Sequence, residues 1–176
     1  PPAQMPPSFL AGRLPNAALA FRGYNVTNLG RTAELLAHPA FAETVERHLR
    51  EASAVASEVL GRPVDLAARV RAKEETALEA YGEAVALIMA AEAAQLELLE
   101  KQFGIDYRQA KFSFGYSLGE IAALAAGGVI LMTEAMRAPL ALAEDCIALA
   151  HDVTLGILFT RSAELPANDV RRICLK

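Results

Sequence analysis

Five consecutive residues, Gly115-Tyr116-Ser117-Leu118-Gly119, constrain this chain more than any other stretch. A short apolar run, Lys111-Phe112-Ser113-Phe114, precedes them, and an Ala-dense segment follows to about Ala126. The first has the length of a strand and the second the composition of a helix, so the pentapeptide falls on a sharp strand-to-helix turn. A serine there is pushed out of the backbone envelope, and glycines on both sides let strand and helix approach without a Cβ clash. The turn also aims the Leu118 N–H, at the positive end of a helix, toward the place where a tetrahedral oxyanion would form. A plainer role competes: Ser117-Leu118-Gly119-Glu120 is also S-x-x-E, a capping box in which serine and glutamate satisfy each other's backbone N–H. Capping needs neither glycine, and the two glycines tip the balance toward a nucleophile elbow.

Upstream, Ala17-Ala18-Leu19-Ala20-Phe21 reads as a buried strand, and Arg22-Gly23-Tyr24-Asn25 follows with turn chemistry. A helical pattern begins at Thr32. Beyond Pro39, Phe41, Val45, Leu49, Ala52, Val55 and Val59 recur at spacings of three and four until Gly61 stops the helix. Arg62 to Glu75 reads as charge-rich and irregular, and Leu78 to Phe103 as a long amphipathic helix carrying Val85, Ile88, Met89, Leu96 and Leu99, with a stop at Gly104. Gly127-Gly128 breaks the helix after the elbow, and another runs from Thr133 to about His151, where Pro139 requires a kink or a late start. Leu155-Gly156-Ile157-Leu158-Phe159 reads as a further strand, and Val170 to Leu175 as a short helix opened by Pro166 to Asp169.

With 176 residues and 53% apolar side chains, the chain can bury one ordinary core. Seventeen Lys plus Arg against 21 Asp plus Glu give a net charge of −4, which leaves no single-sign field of the kind a nucleic-acid binder or polybasic membrane reader needs. The apolar stretch from Ile121 to Met132 is too short to cross a bilayer. Cys146 and Cys174 sit in apolar runs without the clustering of a disulfide framework or zinc knuckle, so buried thiols in a reducing, cytoplasmic setting are expected, with no metal. Pro1, Pro2, Pro6 and Pro7 make residues 1–13 a Pro-rich stub of linker character.

The segment from Phe114 through Ser117-Leu118-Gly119-Glu120 to Gly127-Gly128-Val129 resembles the active-serine segment of malonyl-CoA:acyl-carrier-protein transacylases and of the acyltransferase domains of fatty-acid and polyketide synthases. The likeness extends to Phe21-Arg22-Gly23-Tyr24, in the place of that family's first strand and Gln-containing loop, to Tyr81–Ile105 before the nucleophile strand, and to 154–175. It implies an α/β fold: an incomplete hydrolase-like large subdomain with a parallel sheet and nucleophile elbow over residues 14–152, then the start of a truncated ferredoxin-like small subdomain over 153–176. It also implies that Ser117 takes an acyl group from coenzyme A and passes it to the phosphopantetheine thiol of an acyl carrier protein, a ping-pong transfer with no bound cofactor. Leu118 and Tyr24 would supply the oxyanion N–H groups, Tyr24 standing where the family has Gln.

Three departures from the family bear on the chemistry. Tyr116 stands where the family usually shows His. The arginine that holds a malonyl carboxylate maps to Leu142, and Arg137 is turned from that position by ~140° around a helix. A carboxylate against Leu142 would be buried unpaired, so a neutral acyl group is favoured. The resemblance places the general-base histidine beyond Lys176, so the chain reads as the N-terminal part of a longer protein; His38, His48 and His151 fit surface or capping roles better.

Glu43, Glu46, Glu51, Glu74, Glu75 and Glu79 read as solvated faces without a catalytic role. Arg161, Arg171, Arg172 and Lys176 form a basic segment that suits either a solvated helix or an acidic carrier protein. Two other functional classes are open: an α/β-hydrolase-type esterase or thioesterase, which shares the pentapeptide but passes the acyl group to water, and an inactive fragment or acyltransferase-like domain that packs within a synthase and only binds carrier protein.

Overall fold

The computed structural model describes residues 11–153 and 166–174. Its centre is a long helix, α4 (Tyr81–Phe103), buried on every side over the run from Gly82 to Glu92. The sequence permits this because, apart from Gly82, Glu83 and Glu92, that run is built from Ala, Val, Leu, Ile and Met, with alanines that let neighbouring helices come close. Helix α2 (Ala42–Leu60) makes the largest contact, laying the stripe Val45, Leu49, Ala52, Val55 and Ala56 against it. Burying a side chain such as Leu49 or Ile88 stabilises by roughly 1.5–3 kcal/mol each. Both helices stop at a glycine in the left-handed region, Gly61 at φ 66° and Gly104 at φ 62°. At the second, the Gly104 and Ile105 N–H groups return to the Glu100 and Leu99 carbonyls at 3.1 and 2.9 Å, closing the helix end.

Strands β1 (Ala18–Phe21) and β2 (Phe112–Gly115) pair in parallel, with Ala18 opposite Phe112 and Phe21 opposite Gly115. A parallel pair needs a crossover. Here α1 (Thr32–Ala37), α2, α3 (Leu66–Ala72) and α4 supply it. Helix α5 (Leu118–Ala126) leaves β2 directly and packs back on both strands. The carboxyl ends of the strands therefore stand side by side, and the loop after Phe21 meets the turn after Gly115, the position at which open α/β sheets place their ligands. The molecule is a mixed α/β fold dominated by helix.

Several sequence expectations change. The segment read as irregular contains α3, started by the Asp65 carboxylate, which accepts from the Ala68 N–H at 2.9 Å, and anchored by buried Leu66 and Val70. The single helix expected from Thr133 to His151 is three short ones, α6 (Met132–Ala135), α7 (Arg137–Ala141) and α8 (Ala143–Asp152), broken at Met136 and Leu142. Pro139 stands third in α7, where its missing N–H has no intrahelical acceptor to lose. Strand β1 is not buried as expected. In β1 only Phe21 is enclosed, and β2 leaves Phe112 and Phe114 more than half exposed, because α5 covers one face and β2 has one strand neighbour among the described residues. Cys146 is half-buried rather than fully enclosed. The strand expected at Leu155–Phe159 lies outside the described residues, and the last helix, α9, spans Ala167–Cys174, beginning three residues before Val170. Among the described residues no helix is long and apolar enough to cross a membrane.

Candidate active site

Ser117 adopts φ 55° and ψ −119°, a backbone conformation that a side-chain-bearing residue holds only at a cost of about 1–3 kcal/mol. The surrounding backbone enforces it. A Cβ on Gly115 would lie 2.0 Å from the Gly119 carbonyl group, and one on Gly119 would lie 2.3 Å from the Phe21 oxygen. The end of β1, the end of β2 and the first turn of α5 thus cross with no side chain between them. A Cβ on Gly23 would stand 2.8 Å from the Tyr116 oxygen and 3.6 Å from Ser117 Cβ, which fixes the loop after β1 against the turn.

The capping role coexists with the elbow. Glu120 Oε1 accepts from the Ser117 N–H at 3.3 Å, completing the capping box, although the Ser117 hydroxyl makes no cap hydrogen bond of full geometry. The Gly119 and Glu120 N–H groups are taken by the Tyr116 and Ser117 carbonyls at 3.0 and 2.9 Å. Leu118 is the first residue of α5, so its N–H has no intrahelical acceptor. Its side chain is buried in the main core and locks the turn, while Ser117 and Tyr116 are exposed.

The loop from Arg22 to Leu29 is pinned from behind. Arg22 N–H donates to Glu92 Oε1 at 3.0 Å, and its guanidinium to the Thr27 carbonyl at 2.8 Å. Glu75 Oε2 accepts from the Asn28 and Leu29 N–H groups at 2.6 and 3.0 Å. Buried Asn28 exchanges hydrogen bonds with the Thr76 backbone at 3.2 and 3.3 Å. Tyr24 sets its ring edge-on to Tyr81 at 4.7 Å, and burial, then the nearby Glu79 charge, raises its phenol above the ordinary range. Burial, then the neighbouring Cys146 of α8, raises the Tyr81 phenol in the same direction. Leu142 lies one turn before Cys146 at the α7–α8 junction and is 53% exposed. Arg137 is committed elsewhere, its guanidinium forked on Glu58 at 2.9 and 3.0 Å.

No family model, curated protein or solved structure matches this chain. The site stands on its own geometry.

Among the described residues no hydrogen bond joins a histidine to Ser117. His38 stacks on Phe41 at 4.0 Å and accepts the Ala40 N–H, and His151 is exposed in the last turn of α8. His48, expected at the surface, is mostly enclosed and lies 2.8 Å from Glu97 Oε2, within a network that includes Arg47 and Lys101. Burial opposes ionisation of Glu97, but hydrogen bonds from Arg47, Lys101 and His48 outweigh it and hold the carboxyl at about 2. Among the described residues no cluster suits a metal ion.

Two carboxylates read as solvated charges, Glu75 at the site and Glu46 on α2, make structural bonds. Glu75, taken for a solvated charge, holds the loop's backbone. Glu46 likewise is engaged, by Arg50 and Arg71. Glu92 drew no attention in the sequence, yet it is only 8% exposed and reaches the end of β1. A lone acid in an otherwise apolar helical run was the available signal.

Proposed function

We propose that the chain carries the nucleophile half of an acyltransferase, hydrolase-like in its large subdomain. Ser117 Oγ attacks the thioester carbonyl carbon of an acyl-coenzyme A, the carbonyl π pair moves onto oxygen, and the N–H groups of Leu118 and Tyr24 receive that oxyanion. Collapse expels the coenzyme A thiol, which takes a proton, and leaves a seryl ester. The phosphopantetheine thiol of an acyl carrier protein then attacks the ester and returns the proton to Ser117. An imidazole from outside the described residues relays the proton in both halves. A malonyl-type or related acyl group is the substrate; Leu142, expected to wall the acyl pocket, is 53% exposed and does not set its charge.

The single observation that carries this reading is the left-handed Ser117 wedged between two glycines whose Cβ atoms the backbone could not accept. Plain helix capping requires neither feature. The test is transfer of radiolabel from malonyl- or acetyl-coenzyme A to holo-acyl carrier protein by the full-length protein. Label on the carrier, lost in Ser117→Ala, is the expected result. Release of free acid instead would assign the esterase class, and no Ser117-dependent turnover would leave an inactive packing domain.

A further inference from the structure

We propose that Glu92 is the positioning residue of the oxyanion loop: its carboxyl group takes the Arg22 N–H and thereby fixes the peptides leading through Gly23 to Tyr24, whose N–H the acyl-transfer reading assigns to the oxyanion. This rests on the acyl-transfer reading and adds to it the group that aligns one of the two oxyanion donors.

The bond spans seventy positions of sequence and ties the middle of α4 to the end of β1. The backbone so held is the backbone that touches the elbow. The Phe21 and Arg22 carbonyl oxygens are the atoms a Gly119 Cβ would strike, at 2.3 and 2.9 Å, and Gly23 lies against Tyr116 and Ser117. A displacement of Arg22 therefore moves the loop relative to the nucleophile, and a misplacement of about 1 Å in such a site can cost about 100-fold in rate.

Packing alone gives no reason for an acid at this position. Glu92 stands among Ile88, Ala91 and Leu96 at the back of a cleft of about 280 Å³, bordered by Arg22, Asn28, Arg31 and Gln95. Its Oε2 is buried and has no hydrogen-bond partner among the described residues. The other buried acid of α4, Glu83, differs: Arg62 and Arg69 answer it, each at 2.6 Å. Burying a carboxyl with one oxygen unsatisfied is unfavourable, and an apolar residue of similar volume would remove that cost. What Glu92 supplies in return is an acceptor for one main-chain N–H at the mouth of the elbow. Burial raises its carboxyl to about 7, against the opposing pull of the Arg22 N–H and charge. An acceptor oxygen is present in either protonation state.

The experiment compares wild type, Glu92→Gln and Glu92→Leu in the full-length protein, measuring Ser117 acylation by rapid quench with acetyl-coenzyme A and malonyl-coenzyme A. Glu92→Leu should unfold cooperatively at a temperature no lower than wild type at pH 8. It should nonetheless acylate about 10- to 100-fold more slowly at saturating donor, with the half-saturating concentration unchanged. Glu92→Gln, which keeps an acceptor oxygen, should recover the rate to within about threefold of wild type. Amide hydrogen exchange at Arg22 to Tyr24, which needs no catalysis, should accelerate in the Leu variant and not in the Gln variant. Wild-type acylation and wild-type exchange in Glu92→Leu would overturn the proposal. Absence of Ser117 acylation in all three proteins would overturn the acyl-transfer reading, and the exchange data would then decide on their own whether Glu92 holds the loop.

Discussion

The α2–α4 core and the elbow end of the same molecule follow different rules. In the core, apolar stripes meet, helices end on left-handed glycines, and the buried Glu83 has two arginine partners. At the elbow, a serine occupies a strained conformation, backbones touch without side chains between them, and Glu92 keeps an oxygen unsatisfied. The strain and the unmet oxygen at the elbow persist because the rest of the fold supplies the stability that tolerates them. Two acids five residues apart on α4 condense the contrast: Glu97 is held down to about 2 and Glu92 is pushed up to about 7.

The sharpest way to break this contrast is to put a methyl group at the backbone crossing. Gly119→Ala would force a Cβ to within 2.3 Å of the Phe21 oxygen. A loss above about 4 kcal/mol, or failure to fold, is expected in urea denaturation. A loss below about 1 kcal/mol would show that β1, β2 and α5 do not cross closely. In the core, Leu49→Ala removes a fully buried side chain and should cost about 2–5 kcal/mol with the elbow backbone unaltered.

The two acids of α4 should respond to pH in opposite senses. Glu92 has a folded value raised from 4.5 to about 7, so its contribution to stability is complete below the unfolded value and is lost as pH rises through about 7. Across that window the loss approaches about 3 kcal/mol, and Glu92→Gln should flatten the pH dependence while stabilising the protein at pH 8 by up to that amount. Glu97 has a folded value lowered from 4.5 to about 2, so its contribution is present above 4.5 and is lost as pH falls toward 2; Glu97→Gln should remove that acid-side loss. Thermal unfolding from pH 3 to pH 9 measures both. The smallest effect belongs to Gly61→Ala, where a Cβ meets nothing within 4 Å but φ is 66°; about 1 kcal/mol of destabilisation is expected, far below that of Gly119→Ala.

Features governed by local rules were legible in the sequence. The elbow, both left-handed glycine stops and both strands lie within about one residue of where turn chemistry and apolar periodicity put them. Helix α3 escaped because its charged residues obscured the Leu66 and Val70 spacing, and the breaks at Met136 and Leu142 carry no glycine to announce them. Strand burial escaped for another reason. Whether Ala18 and Ala20 are covered depends on which elements lie against them, and that is a property of the assembled fold. The roles of two acids are hidden on the same ground: Glu75 and Glu92 hold main-chain N–H groups 46 and 70 positions away, which periodicity cannot connect.

Whether Ser117 is an acyl-accepting nucleophile can be asked of the residue itself. The full-length protein would be mixed for seconds with acetyl- or malonyl-coenzyme A, quenched in acid, digested and analysed by mass spectrometry. An acyl ester on Ser117 that disappears when holo-acyl carrier protein is added, and that never forms in Ser117→Ala, is the expected result. An unmodified Ser117 under conditions that leave the protein folded would contradict it.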